Sequence, residues 1–180
     1  ADISHGGEGS EVGPESLGGM MMALARRGCH HINLVTPTHV LPQILEAVAW
    51  AAARGLNLPL VYNCGGYEAM DALRLLDGVV DIYMPDAKYA DAEVGLRLSG
   101  ARDYPVHLRA ALAEMHRQVG DLVVGEDGVA ERGLLVRHLV LPNGLSGADS
   151  VFRFLAGEVS RDTFVNVMGQ YRPCHEAHRH

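Results

Sequence analysis

Apolar and polar positions along this chain switch repeatedly between two periods, and the switching predicts strands alternating with helices. Residues 1–13 carry no apolar periodicity. After Pro14, Leu17, Met20, Met21, Leu24 and Ala25 recur at three- and four-residue spacing until Gly28, which predicts an amphipathic helix. A buried strand over 31–36 follows, with Ile32, Leu34 and Val35 close together, and it breaks at Thr36-Pro37. A second helix from about Val40 puts Leu41, Ile44, Leu45, Val48 and Ala52 on one face and ends at Gly55. A short strand over 58–62 is closed by Asn63-Cys64-Gly65-Gly66. A helix over 67–76 then groups Met70, Leu73 and Leu76, and a third strand over 79–84 ends at Pro85-Asp86-Ala87-Lys88.

The second half repeats the theme with one interruption. A short helix is predicted over 90–98 and a longer one over 105–119, with Val106, Ala110, Leu112, Met115 and Val119 inward. Leu122-Val123-Val124, the turn at 125–128 and Val129-Ala130 then predict a small hairpin or insert before the next core strand. That strand covers 134–141 and stops at Pro142-Asn143-Gly144. Val151, Phe152 and Leu155 mark a helix, 163–168 a last strand, and a polar tail of little order begins at Tyr171.

Strands separated by helices of this length run parallel with right-handed crossovers, so the fold class is α/β. Parallel strands share a carboxyl end, so their closing residues gather on one rim. These are Thr36-Pro37-Thr38, Asn63-Cys64-Gly65-Gly66, Asp86-Ala87-Lys88, Pro142-Asn143 and Gly169-Gln170. Small molecules bind at such rims in α/β proteins. The rim offers hydroxyls, amides, an acid and a lysine, but no Cys or His cluster suited to a metal. The bland alternative for Thr36-Pro37-Thr38 is an ordinary loop with Thr38 as N-cap of the following helix.

Bulk properties narrow the choices. At 180 residues the chain is one domain by size, and 48% hydrophobic residues argue against intrinsic disorder. A net charge of −7 disfavours a nucleic-acid surface and an electrostatic membrane anchor. No apolar run approaches the roughly 18 residues of a spanning helix, and residues 1–10 are polar and Gly-rich rather than a signal peptide. Cys29, Cys64 and Cys174 are odd in number and far apart, which reads as reduced thiols in a cytoplasmic protein. Cys64 reads as a small buried residue rather than a nucleophile, and Met20-Met21-Met22 as helix core and surface. Cys174, His175, His178 and His180 read as a polar tail, with metal binding as the alternative.

A set of motifs spread over nearly the whole chain resembles one family. They are His31-Ile32-Asn33 through Thr36-Pro37-Thr38-His39, Tyr62-Asn63-Cys64-Gly65-Gly66-Tyr67-Glu68 and Val80-Asp81-Ile82-Tyr83-Met84-Pro85-Asp86-Ala87-Lys88-Tyr89. Further along come Glu114-Met115-His116-Arg117-Gln118-Val119-Gly120, Arg137-His138-Leu139-Val140-Leu141-Pro142 and Asn166-Val167-Met168-Gly169-Gln170-Tyr171-Arg172-Pro173. Together they resemble the radical S-adenosylmethionine (SAM) proteins of the branch similar to pyruvate formate-lyase activating enzyme. The resemblance implies a partial TIM-type (β/α)6 radical SAM barrel over 1–170, parallel strands with outer helices, and a polar tail over 171–180. It implies two cofactors, SAM and a 4Fe–4S cluster, and a 5′-deoxyadenosyl radical that takes a hydrogen atom from the substrate. A protein or peptide substrate and an electron donor such as flavodoxin or ferredoxin are the implied partners, with no nucleic acid and no membrane.

The family's Cys-x3-Cys-x2-Cys cluster loop is absent from these 180 residues, since no two cysteines lie within ten residues of each other. The resemblance places the chain's start after that loop and after the first strand, and a 4Fe–4S cluster normally needs thiolates. The cluster is therefore expected only in a full-length form, and the alternative reading is a barrel that binds SAM or a nucleotide without catalysis. Thr36, Pro37 and Thr38 stand where most of the superfamily has Gly-Gly-Glu, at the SAM amino group, and Asn63 where activating enzymes have an Asp. Asp86 and Lys88 match the pair that handles the ribose hydroxyls and the carboxylate. Arg137 and Leu139 match a strand that reaches the carboxylate and the adenine, and Gln170 a polar contact after the last strand. The bland readings are a rim salt bridge for Asp86 and Lys88, and a structural pairing of Arg137 with Asp86.

Overall fold

The computed structural model describes residues 9–174 and Ala177; residues 1–8, with the Gly-rich start, and His175, His178 and His180 of the candidate tail metal set lie outside them. The chain divides into two compact units, 1–32 with 40–58 and 33–39 with 59–180.

The first unit is built from α1 (Pro14–Arg26) and α2 (Leu41–Ala52), each with a proline in its first turn, where the missing N–H costs nothing. The face that α1 buries is not the one its apolar residues predict. Gly18 and Met21 are buried, whereas Met20 and Leu24 are exposed. Gly18 explains the difference: a Cβ there would stand 2.7 Å from the Trp50 ring and 2.9 Å from the Ala47 carbonyl. The helices approach through a residue that carries no hydrophobic signal.

The second unit carries a mostly parallel mixed sheet flanked by helices. Its strands are β1 (Ile32–Val35), β2 (Leu60–Cys64), β3 (Ile82–Pro85), β4 (Val123–Val124), β5 (Ala130–Leu139) and β6 (Phe164–Met168). Apart from the short β4, spatial order follows chain order: β1, β2, β3, β5, β6. β2, β3, β5 and β6 pair parallel, and β4 folds back antiparallel on the start of β5. The predicted hairpin is thus present, and it lengthens β5 at its amino end. Residues 130–132 face β4, and from Gly133 the strand pairs β3 instead. Gly133 sits at φ +118 against the Asp121 backbone, a position only glycine tolerates. β2 starts and ends two residues later than predicted, because Pro59 has no N–H and polar Asn63 joins the ladder opposite Met84.

One sheet face packs on helices. Tyr62, Tyr83, Leu134, Val136 and His138 are buried there. α5 (Tyr104–Val119) covers β3 and β5, and Tyr83 Oη donates to Gln118 Oε1 at 2.6 Å. The buried stripe of α5 is Tyr104, Leu108, Ala111, Leu112, Met115 and Val119. The predicted inward residues Val106 (71% exposed) and Ala110 point outward instead. Two stripes of equal period compete on this helix, and the one with Tyr104 and Leu108 wins the larger buried area. The connecting helices α3 (Met70–Leu75), α4 (Ala92–Ser99) and α6 (Ala148–Phe154) complete the unit, α6 running on into a π turn at Leu155–Val159. Among the described residues no helix is long and apolar enough to cross a membrane.

Candidate functional site

Register assigns the residues of the other sheet face. Asn63 pairs Met84, Asp86 bridges Arg137, Arg137 pairs Asn166, and Leu139 pairs Met168. Paired residues project to the same side, so these side chains share one face. All are only half-buried or exposed. This polar-apolar face opens at the strands' carboxyl ends into a cavity of about 280 Å³, lined by Asp86, Ala87, Lys88, Tyr89, Arg137, Leu139, Leu141 and Met168.

An acid and two cations organise the cavity. Asp86 Oδ1 accepts a hydrogen bond from Arg137 Nε at 2.8 Å, and Arg137 Nη2 lies 2.7 Å from the same oxygen as an ion-pair contact. Lys88 Nζ stands 3.9 Å from Asp86 Oδ2. Both guanidinium contacts fall on one carboxylate oxygen. Oδ2 therefore keeps its lone pairs, and Lys88, 45% exposed, keeps donors for a ligand. The backbone fixes the acid: Asp86 N–H donates to Cys64 O at 2.9 Å, and Ala87 N–H to Arg137 O at 2.8 Å. The predicted structural pairing of Arg137 with Asp86 is real, and it lies in the cavity wall.

The tips of β1 and β2 form a second cluster. Thr36 takes φ +52, an uncommon backbone for a β-branched residue, and its amide donates to Asn63 O at 2.8 Å. Pro37 is buried. Thr38 does not cap the next helix, which begins at Leu41 with no side-chain cap. Its hydroxyl instead donates to Glu68 Oε2 at 2.8 Å and lies 2.9 Å from Tyr62 Oη, which itself donates to Glu68 Oε2 at 3.2 Å. Glu68 is 4% exposed, and burial pushes the neighbouring Tyr62 phenol and Cys64 thiol well above their ordinary pKa values, with the Glu68 charge adding to both. Cys64 is accordingly a protonated core thiol at neutral pH.

Of the nine predicted site residues, Asp86, Lys88, Arg137 and Leu139 are brought together in the cavity. Thr36, Pro37, Thr38 and Asn63 gather at the neighbouring tips, and Asn63 shares the cavity's sheet face without lining it. Gln170 is exposed beyond β6, outside the cavity.

Sequence reasoning passed over four residues here. Tyr89 and Met168 line the cavity, Glu68 is the buried carboxylate, and His138 donates from Nδ1 to Ala87 O at 2.7 Å with Nε2 buried and unpartnered. Their signal lay in position: Tyr89 directly follows Asp86-Ala87-Lys88, and His138 alternates with Arg137 and Leu139. Among the described residues no group of three or more His, Cys, Asp or Glu side chains is arranged to hold a metal ion.

The chain is 31% identical over 150 residues to an uncharacterized protein of Methanocaldococcus jannaschii, covering 82% of this chain and 39% of that protein. The chain therefore spans well under half the length of the curated relative that it matches. No family model matches it, and no solved structure matches it significantly.

Proposed function

We propose that this chain is the SAM-binding part of a radical SAM protein, of the branch similar to pyruvate formate-lyase activating enzyme. One observation carries the reading. Asp86 and Lys88 after β3, and Arg137 and Leu139 on β5, converge on one cavity at the carboxyl rim. The sheet's stepwise order, each parallel strand beside its predecessor, is what a partial (β/α)6 barrel requires.

The donor set fits SAM. Asp86 Oδ2 accepts the ribose hydroxyls, while Lys88 and Arg137 pair the α-carboxylate. Leu139, Leu141 and Met168 offer an apolar wall to the adenine. Asn63 and the Thr36–Thr38 tip would take the amino group, with an amide where a carboxylate would hold it more strongly. The cavity of about 280 Å³ accommodates part of the ligand, and the remainder lies along the open sheet face toward Asn63.

The 4Fe–4S cluster does not fit these residues, since Cys29, Cys64 and Cys174 are separate in sequence and Cys64 is buried. Radical generation thus belongs to a longer form that carries a three-cysteine loop. That form would be a cytoplasmic oxidoreductase that draws an electron from a flavodoxin or ferredoxin and acts on a protein or peptide. The second reading, binding without radical chemistry, rests on the same absence of thiolates.

Calorimetric titration with SAM tests the binding claim. The wild-type chain binds, and Asp86→Asn or Lys88→Gln weakens binding about tenfold, the equivalent of one hydrogen bond or ion pair. No heat from the wild type would overturn it. Formation of 5′-deoxyadenosine by the longer protein, reconstituted anaerobically with iron and sulfide, separates the two readings.

A further inference from the structure

Two rim loops meet on a single side-chain atom. The hydroxyl of Tyr104 lies 2.9 Å from the Gly65 carbonyl and 2.7 Å from the Asp86 carbonyl, and it accepts the Lys88 N–H at 3.0 Å. A phenol has one proton, so the two carbonyls share it while the amide fills a lone pair. Tyr104 is 4% exposed at the start of α5, with Tyr89 packed edge-on at 5.5 Å and Tyr67 stacked at 6.1 Å. Burial holds the phenol neutral, so it remains a donor across the ordinary pH range. The fit leaves no slack. Gly66, at φ +75, has no room for a Cβ, which would stand 2.6 Å from both the Asp86 carbonyl and Leu108 Cδ1.

The consequence concerns the geometry of the cavity. The residues on either side of Ala87 are tied to the same oxygen, one through its carbonyl and the other through its amide. That closes the 86–88 bend and fixes how Asp86 and Lys88 stand relative to each other. The same oxygen ties the bend to the loop after β2, two residues beyond Asn63.

We propose that Tyr104 is a positioning residue for the ligand of this cavity, its hydroxyl holding the Asp86–Lys88 bend and the Gly65–Gly66 loop in register for binding. This rests on the SAM reading above.

Tyr104→Phe keeps the ring packing and removes only the hydroxyl. Tyr83→Phe is the control, since Tyr83 also gives up one part-buried hydrogen bond, to Gln118, on the opposite sheet face. Three readouts are compared: thermal midpoint, SAM affinity by calorimetry, and amide exchange at Lys88. Both variants are expected to melt a few degrees lower. Only Tyr104→Phe should weaken SAM, by about tenfold, and speed exchange at Lys88.

Unchanged affinity in Tyr104→Phe, or equal weakening in both variants, would overturn the proposal while leaving the SAM reading standing. A wild type that binds no SAM would overturn both. If Tyr104→Phe does not fold, the wild type still decides. Saturating SAM should slow exchange at the Lys88 amide, and no change there would refute the positioning role.

Discussion

The Asp86–Arg137 pair yields the most quantitative prediction. Both side chains are about one-quarter exposed, at 25% and 27%, so neither the solvated nor the buried limit applies. Two opposite charges at about 4 Å attract by about 1 kcal/mol in water and about 4 kcal/mol at an effective dielectric of about 20. The hydrogen bond from Nε and the close Nη2 contact on Oδ1 push toward the upper figure. Lys88, 3.9 Å from Oδ2, pulls it down, because it stays beside the carboxylate when the guanidinium is gone.

A double-mutant cycle of Asp86→Asn and Arg137→Gln should therefore show a coupling of about 2 kcal/mol in urea unfolding. The same cycle read by SAM titration separates structure from binding. Arg137→Gln frees Oδ1 yet removes a cation from the cavity, so it should both destabilise the fold and weaken SAM. A coupling below about 0.5 kcal/mol would place the pair among ordinary solvated surface pairs and remove the reasoning that Asp86 is held in place for a ligand.

Two further outcomes follow from the same geometry. Gly66→Ala should destabilise by about 2–4 kcal/mol in urea unfolding, adding left-handed backbone strain to a clash with the Asp86 carbonyl; a loss under about 0.5 kcal/mol would contradict the close contact of the two loops. Hydrogen bonds from Arg117, then Gln118, lower the Glu114 pKa to about 2. Because the folded value lies below the unfolded value of about 4.3, this stabilisation is fully present above pH of about 4.3 and is lost as pH falls toward 2. Glu114→Gln should flatten that acid limb in pH-dependent unfolding, and an unchanged limb would refute the assignment.

The order of elements was legible because apolar runs ended by Gly, Pro and Asn mark strands, and three- and four-residue spacings mark helices. The mostly parallel sheet and the shared carboxyl rim of its strands followed from that order alone. Faces were harder to read. In α1 the inward position is Gly18, which no hydrophobic count registers, and in α5 two stripes share one period until tertiary packing selects Tyr104 and Leu108.

The site divided along the same line. Asp86, Lys88, Arg137 and Leu139 sit at strand ends, where register forces them together. Tyr104 and Glu68 act across tens of residues of sequence, on partners that only the folded chain brings near. The Thr36 backbone at φ +52 was equally hidden, since nothing in Thr-Pro-Thr announces a left-handed threonine.

The most direct test is a crystal structure of this chain soaked with S-adenosylhomocysteine, the analogue of SAM that lacks the sulfonium methyl and is not cleaved. The nucleoside is expected in the cavity of Asp86, Lys88, Arg137 and Leu139, with a ribose hydroxyl on Asp86 Oδ2. An empty cavity at saturating ligand, or a nucleoside bound elsewhere on the chain, would contradict it.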